Sequence, residues 1–373
     1  MKKIVFLTGT RADFGKIKSL ITICKNNFEF DSYIFATGMH VHEKYGLTVK
    51  EIEKSGFDNI ITYQNFEGEE GMDEILANTI HGLSSFVKES KPDLIVIHGD
   101  RVEALAGAIV GALNNIYVAH VEGGEVSGTI DELIRHSVSK LSHFHLVANK
   151  EAERRLLQMG EREESVFVIG SPDVDIMFSE QLASLEFVKE YYEISYEKYG
   201  ILMFHPVTTE VEQMEEHANN IVAAAIKSNL QYIVIAPNND LGSERIFNAY
   251  KQFENNSNFK IFPSLRFEYF LVLLRHASFI LGNSSTGVRE APYYGVPCVI
   301  VGTRQQNRSL HTQIVNCENN VKSISEAINK ANEMDRYTAA NEFGAGESDQ
   351  QFLKIISSPE FWQAPKQKLF KDR

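Results

Sequence analysis

The sequence predicts an α/β protein built from two doubly wound, Rossmann-like domains that face each other across a cleft. Three observations predict it. Short, uninterrupted apolar runs alternate with stretches of helical periodicity, the pattern of a parallel sheet covered on both faces. The alternation pauses at the turn-rich stretch Gly170-Ser171-Pro172-Asp173 and restarts near Tyr199. The chain has 373 residues, which suits two domains of ordinary size.

The first half begins with a strand over Lys3–Leu7, a helix over Gly15–Lys25 and a strand over Asp31–Ala36. Asp93–His98 is an apolar strand, and Val102–Leu113 a helix rich in small and apolar residues. Further strands are expected over Tyr117–His120, Phe144–Ala148 and Val166–Ile169. Between them, Ile130, Ile134, Val138 and Leu141 recur at helical spacing, so Thr129–His143 reads as a helix. In the second half, strands are expected over Tyr199–His205, Tyr232–Ala236, Phe259–Phe262, Ser278–Leu281 and Pro297–Val301, with a helix over Gln213–Ser228. The domains are therefore placed at 1–170 and 171–373. The Lys- and Gln-rich tail from Gln363 is either a frayed end or a segment that packs back on the first domain. Ligands of such sheets bind beyond the C-terminal ends of the strands.

A formal net charge of −13 argues against nucleic acid or an anionic membrane as partner. Cys24, Cys298 and Cys317 are few and far apart, with neither a disulfide framework nor metal-ligand spacing. A reducing cytoplasm is the expected compartment. The N-terminal apolar run is short and closely followed by Arg11, so it reads as a strand and not a signal peptide. No run approaches the roughly 18 apolar residues of a membrane span.

The stretch from Gly282 to Glu290 follows a buried strand with small residues and leads into a short helix ending near Tyr294-Gly295. Such a break exposes backbone N–H groups suited to phosphate. Ser284 and Ser285 add hydroxyl donors, and Glu290 suits a ribose diol. Asn and Ser are also ordinary helix caps. Elsewhere, polar residues stand at strand ends. Arg11 and Lys16 are cations beside the Gly9 turn. His98-Gly99-Asp100-Arg101, His120 through Glu125, and Phe204-His205-Pro206 each close a strand. Asp131 opens its helix, where the macrodipole favours a carboxylate, and stands one turn before Arg135 as a pairing candidate. His120, His136, His143 and His145 crowd one region without metal-ligand spacing and read as a hydrogen-bonding cluster.

His98-Gly99-Asp100-Arg101, Val121-Glu122-Gly123-Gly124-Glu125-Val126-Ser127-Gly128-Thr129-Ile130-Asp131-Glu132, Ile134-Arg135-His136, His205-Pro206-Val207-Thr208-Thr209, Gly282-Asn283-Ser284-Ser285 and Gly302-Thr303-Arg304 occur in one order. Together they closely resemble the UDP-N-acetylglucosamine 2-epimerases, from about Lys3 to about Thr312. The Gly124–Glu132 stretch resembles the hydrolysing branch, which makes free N-acetylmannosamine for sialic acid synthesis. The resemblance implies a GT-B-like fold. It also implies loss of UDP with removal of the C2 proton, a 2-acetamidoglucal intermediate, and hydration. Asp100, Glu122 and Asp131 become the acid/base candidates, their roles unassigned. His205 becomes a diphosphate-side histidine, expected as a protonated imidazole. The implied UDP-sugar contacts are Arg11, Lys16, Arg101, His205, Ser264, Phe270 over the uracil, Asn283, Ser284, Ser285, Gly287, Glu290 and Arg304.

No cofactor and no metal are expected. The expected partners are a UDP-sugar substrate and the UDP product, and the resemblance suggests a homodimer or homotetramer. The competing readings are a hydrolysing epimerase of UDP-N,N′-diacetylbacillosamine, a non-hydrolysing UDP-N-acetylglucosamine 2-epimerase, a GT-B glycosyltransferase and a non-catalytic nucleotide-sugar sensor.

Overall fold

The computed structural model describes residues 1–68, 70–127, 129–179, 182–305, 314–337, 342–369 and 371. The chain divides into two compact units. Unit 1 comprises Met1–Glu125, Asp131–Ser179 and Glu342–Arg373, and unit 2 comprises Val126–Ile130 and Glu180–Asn341.

Unit 1 runs β1 (Lys2–Thr8), α1 (Arg11–Lys25), β2 (Phe30–Ala36), α2 (Val49–Lys54), β3 (Ile60–Thr62), α3 (Met72–Ser90), β4 (Leu94–His98) and α4 (Val102–Leu113). It continues with β5 (Tyr117–Val121), α5 (Ile130–Leu141), β6 (Phe144–Val147), α6 (Lys150–Gln158), β7 (Val166–Val168) and α7 (Pro172–Met177). The described strands form one sheet in the order β3-β2-β1-β4-β5-β6-β7. Every pairing is parallel. Ile4, Phe6, Leu94, Val96 and Ala119 are buried in one cluster with α1 residues Ile17, Leu20 and Ile21. These central strands are apolar because helices cover both faces.

Unit 2 runs α8 (Leu185–Tyr191), β8 (Gly200–Met203), α9 (Met214–Ser228), β9 (Tyr232–Ile235), α10 (Ser243–Tyr250), β10 (Phe259–Phe262) and α11 (Phe267–His276). It closes with β11 (Phe279–Gly282), α12 (Glu290–Tyr293), β12 (Cys298–Val301), β13 (Ile314–Cys317) and α13 (Val321–Glu333). Its described strands take the order β10-β9-β8-β11-β12-β13, again all parallel. Both sheets thus show the doubly wound, Rossmann-like order read from the sequence, which reverses beside the first strand of each unit. The switch points lie between β1 and β4 and between β8 and β11.

The sequence divides the chain at residue 170, whereas unit 1 runs on through Ser179 and takes back the C-terminal segment from Glu342. The apolar residues of that segment explain its place. On α14 (Ser348–Ile356), Phe352 meets Phe6 edge-on with ring centroids 6.3 Å apart. Phe361 stacks on Phe144 at 3.9 Å. No helix among the described residues is long and apolar enough to cross a membrane.

Candidate active site

At the switch point of unit 1, three strand ends bring polar side chains together. Thr10 caps α1 by accepting from the Asp13 N–H at 3.1 Å. The cap turns Asp13 back towards the β1 end, where its Oδ2 accepts from Gly9 N–H at 3.0 Å. Its Oδ1 lies 2.9 Å from His98 Nδ1, at the end of β4. His98 Nε2 lies 3.0 Å from Glu122 Oε2, immediately after β5. The other oxygen of Glu122 accepts from the Ser171 hydroxyl.

Glu122 is 3% exposed and adopts φ 62°, a left-handed conformation uncommon for a residue with a side chain. Its N–H donates to Leu146 O at 2.9 Å, which keeps it in register with β6. Strain of this kind clusters at functional sites.

Arg135 reads in the sequence as a helix-surface partner of Asp131. It is in fact 3% exposed. Its Nη2 donates to Asp100 Oδ2, and its Nη1 to Glu125 Oε2 at 3.3 Å and Glu122 O at 3.1 Å. One guanidinium therefore joins the residues that follow β4 and β5. Asp131 lies half-buried in the first turn of α5.

The cations named from the sequence are held by neighbours within unit 1. Lys16 Nζ lies 3.2 Å from Asp173 Oδ2, both side chains being buried. Arg101 Nε donates to Glu103 Oε2 at 3.3 Å. Arg11 is the half-buried first residue of α1.

Burial pulls the His98 imidazole down, but Glu122 and Asp13 outweigh it and raise its pKa to about 9. His120, one strand over, moves the other way: burial lowers it to about 3, opposed by its bond to Gly99 O at 2.8 Å. The neighbouring histidines are hydrogen-bonded too. His120 meets Ser139 Oγ at 3.0 Å, His143 meets Lys366 O at 2.8 Å, and His145 meets Glu161 at 2.9 Å.

The second cluster lies at the switch point of unit 2. Gly282, at φ 143°, brings the end of β11 so close to β8 that a Cβ there would stand 1.8 Å from Met203 O. Only glycine fits. Asn283 follows, and its amide grips His205 at both backbone groups: Oδ1 accepts from His205 N–H at 2.7 Å, and Nδ2 donates to His205 O at 2.8 Å. The Asn283 carbonyl accepts from Arg304 Nη1 at 3.3 Å and Gln305 Nε2 at 2.9 Å.

His205 Nδ1 accepts from the backbone N–H of Asn238 at 3.2 Å. With Nδ1 in this acceptor role, Nε2 is the ring nitrogen placed to donate.

The single short helix expected after Gly282 is two separate turns, a 3₁₀ turn over Ser285–Gly287 and then α12. Pro292 inside α12 has no N–H and restrains the residue before it. The Thr286 N–H goes to Ser284 Oγ at 3.4 Å, and Gly287, Val288 and Arg289 donate within the turn. The backbone donors expected there are thus partly consumed. Ser284 Oγ, accepting, keeps its O–H to give. Glu290 is buried at the start of α12, and Ser285 is half-buried. Phe270 is buried on α11, and Ser264 lies half-buried in the loop before it.

The structure thus gathers Asp100 and Glu122 in unit 1, and His205, Asn283 and Arg304 in unit 2. The sequence missed Asp13, His98, Ser171 and Arg135 as members of the first group. Only strand order brings them together, although His98 does precede the Gly-Asp-Arg motif.

Known proteins carry the same plan. Against solved structures, the chain matches a UDP-GlcNAc 2-epimerase of Methanocaldococcus jannaschii in complex with UDP-GlcNAc and UDP, with a TM-score of 0.81. That match has 24% identity and covers 96% of this chain and 99% of that one. Likeness at this level speaks to the fold. In sequence, the chain is 48% identical over 375 residues to the UDP-N-acetylglucosamine 2-epimerase of Neisseria meningitidis serogroup B, covering 100% of this chain and 99% of that protein. It is 31% identical over 362 residues to the UDP-N,N′-diacetylbacillosamine 2-epimerase (hydrolyzing) of Legionella pneumophila, covering 96% of each. The family model for UDP-N-acetylglucosamine 2-epimerase matches residues 22–357, and the chain belongs to that family.

Proposed function

We propose that this chain is a hydrolysing UDP-N-acetylglucosamine 2-epimerase, which converts its substrate and water into N-acetylmannosamine and UDP for sialic acid synthesis. The observation that carries the reading is the joining of Asp100 and the Glu122 backbone by Arg135 at the C-terminal ends of β4 and β5, beside the topological switch point. This edge of a doubly wound sheet is where ligands bind. A C2–H is a weak acid, so its removal needs a carboxylate held in a fixed place. Glu122 has both oxygens and its backbone held.

In this reading a carboxylate among Asp100, Glu122 and Asp131 takes the C2 proton while the C1–O bond to UDP breaks. The product is 2-acetamidoglucal. Water then adds its oxygen to C1, a second carboxyl, protonated, gives its proton to C2 on the opposite face, and the proton released by the water restores it. The steps are redox-neutral proton transfers, so side chains suffice. On the nucleotide side, His205 would donate Nε2–H to the departing diphosphate, where developing charge needs a donor. Ser284 and Ser285 would hold phosphate, Glu290 the ribose and Phe270 the uracil.

The Legionella relative, 31% identical and named as hydrolyzing, supports the hydrolytic outcome. It also favours a second reading, the same chemistry on UDP-N,N′-diacetylbacillosamine. The difference lies at C4 and C6 of the sugar and is decided by pocket shape.

Proton NMR of the protein with UDP-N-acetylglucosamine in D₂O tests the reading. Free UDP and N-acetylmannosamine deuterated at C2 are expected. UDP-N-acetylmannosamine at equilibrium with substrate would overturn hydrolysis. An unchanged spectrum with this sugar, together with turnover of the diacetamido nucleotide, would move the assignment to the second reading.

A further inference from the structure

Asp13, His98, Glu122 and Ser171, which follow or end β1, β4, β5 and β7, form a continuous chain of contacts. Both ring nitrogens of His98 face carboxylate oxygens, Asp13 Oδ1 at 2.9 Å and Glu122 Oε2 at 3.0 Å. A neutral imidazole donates from one nitrogen and accepts at the other. Between two ionised carboxylates it would aim one lone pair at an oxygen that can only accept. An imidazolium donates to both and removes the conflict.

The surroundings favour that arrangement. Asp13 Oδ2 is engaged by Gly9 N–H and Glu122 Oε1 by the Ser171 hydroxyl, so both carboxylates are oriented as acceptors. His98 is only 10% exposed at its side chain, and Glu122 3%, so water does not dilute the pairing.

We propose that His98, doubly protonated between Asp13 and Glu122, is the positioning residue that holds Glu122 ionised and aimed for proton abstraction. This rests on the proposed acid/base role of Glu122. His98 itself touches no reacting atom. The proton that moves passes from the sugar C2 to Glu122, while the ring keeps both of its own.

The device has a consequence for pH. The titratable groups that face His98 are Asp13 from α1 and Glu122 after β5, with His120 on β5 acting through space. Loss of the Nε2 proton at alkaline pH removes one of the hydrogen bonds that orient Glu122. It leaves substrate binding in place. The alkaline limb of kcat therefore reports His98, and Asp13 sets where that limb falls.

The test measures kcat and KM for UDP-N-acetylglucosamine against pH in the full-length protein and in Asp13→Asn. The expected result is an alkaline limb moved down by about one pH unit or more, with KM within about threefold of the parent. Superimposable profiles would overturn the proposal, as would a change in KM alone. Folding of the variant is checked by UDP binding.

A second measurement needs no variant enzyme to turn over. In ¹⁵N-histidine spectra of the intact protein, one ring should remain protonated on both nitrogens at neutral pH and vanish in His98→Gln. A neutral His98 ring at pH 7 would sink the idea. The underlying assignment fails separately: if Glu122→Gln turns over at the parent rate, Glu122 is not the acid or base, whatever the spectra show.

Discussion

Arg135 Nη1 donates to the carbonyl oxygen of Glu122 over 3.1 Å. Its guanidinium also holds Asp100 and Glu125, so one planar cation spans the residues after β4 and β5. Lysine has no such fork. Arg135→Lys should lower kcat more than it raises KM. It should also reduce stability by about 3 kcal/mol, as expected when a buried pair loses a partner. Steady-state kinetics and urea denaturation check both, and a parent-like kcat would show that Asp100 and Glu122 need no common tether.

Glu122→Gln keeps the shape of the side chain and removes its ability to take a proton. Turnover should fall about 100-fold or more, as loss of an acid or base commonly produces. Calorimetry should show UDP affinity little changed, because Glu122 is not among the nucleotide contacts proposed here. A near-parent turnover would remove Glu122 from the chemistry.

Gly282 and Gly302 both have positive φ, 143° and 77°, yet they should respond differently to a methyl group. A Cβ on Gly282 would meet Met203 O at 1.8 Å, whereas nothing lies within 4 Å of one on Gly302. Gly302→Ala should cost only the backbone strain, about 1–2 kcal/mol. Gly282→Ala should cost about 4 kcal/mol or more and displace Asn283 from His205, weakening UDP binding. Urea midpoints and UDP calorimetry on the pair separate the two effects.

The sequence was legible where burial is complete. The apolar runs over Leu94–His98 and Phe279–Gly282 are strands covered by helices, and the polar residues after each run stand at the switch points. Legibility failed where burial is partial. Ile60–Thr62 and Ile314–Cys317 are short outer strands with half-buried or exposed side chains and no apolar run to announce them. It failed again where contacts depend on strand order. Asp13 and His98 are 85 residues apart, and Ser171 lies 49 beyond Glu122. The first pair meets because β1 lies beside β4; the second joins residues that follow β7 and β5, two strands apart in the sheet. Arg135 shows a third limit. Helical spacing offers Asp131 as its neighbour, but it does not reveal the buried guanidinium's bonds to Asp100, Glu125 and Glu122 O.

Stability should peak near pH 6.5, because buried histidines pull in opposite directions. Burial lowers His40 to about 4 and His120 to about 3, against 6.5 in the unfolded chain. Below 6.5 the unfolded chain takes up protons that these native rings refuse, so stability falls as pH drops towards 4. His98, raised to about 9, has the reverse sign: its contribution is full below 6.5 and is lost as pH rises through 9. Each unit of pH within these windows is worth about 1.4 kcal/mol per group. Urea midpoints at pH 4.5, 6.5 and 8.5 should be highest in the middle, and the alkaline decline should flatten in His98→Gln. A midpoint still rising at pH 8.5 would contradict the assignment of a charged His98.

The C-terminal segment is bound to unit 1 by a buried carboxylate. Glu161, 2% exposed, accepts from Lys140 at 2.7 Å, His145 at 2.9 Å and Lys368 at 2.6 Å. Lys368 also donates to the carbonyls of Ser139 at 3.0 Å and Ser142 at 2.7 Å, beyond the end of its own apolar anchor at Phe361. The tail is therefore held by charge-assisted bonds as well as by packing. Lys368→Met removes the donor but leaves Glu161 with two partners, so a loss of about 1.5–3 kcal/mol is expected. Glu161→Gln removes the charge that three donors share and leaves neighbouring cations facing an amide, so its cost should be larger. The order of the two urea midpoints is the decisive readout. Equal midpoints for both variants and the parent would mean that Phe352 and Phe361 alone hold the segment.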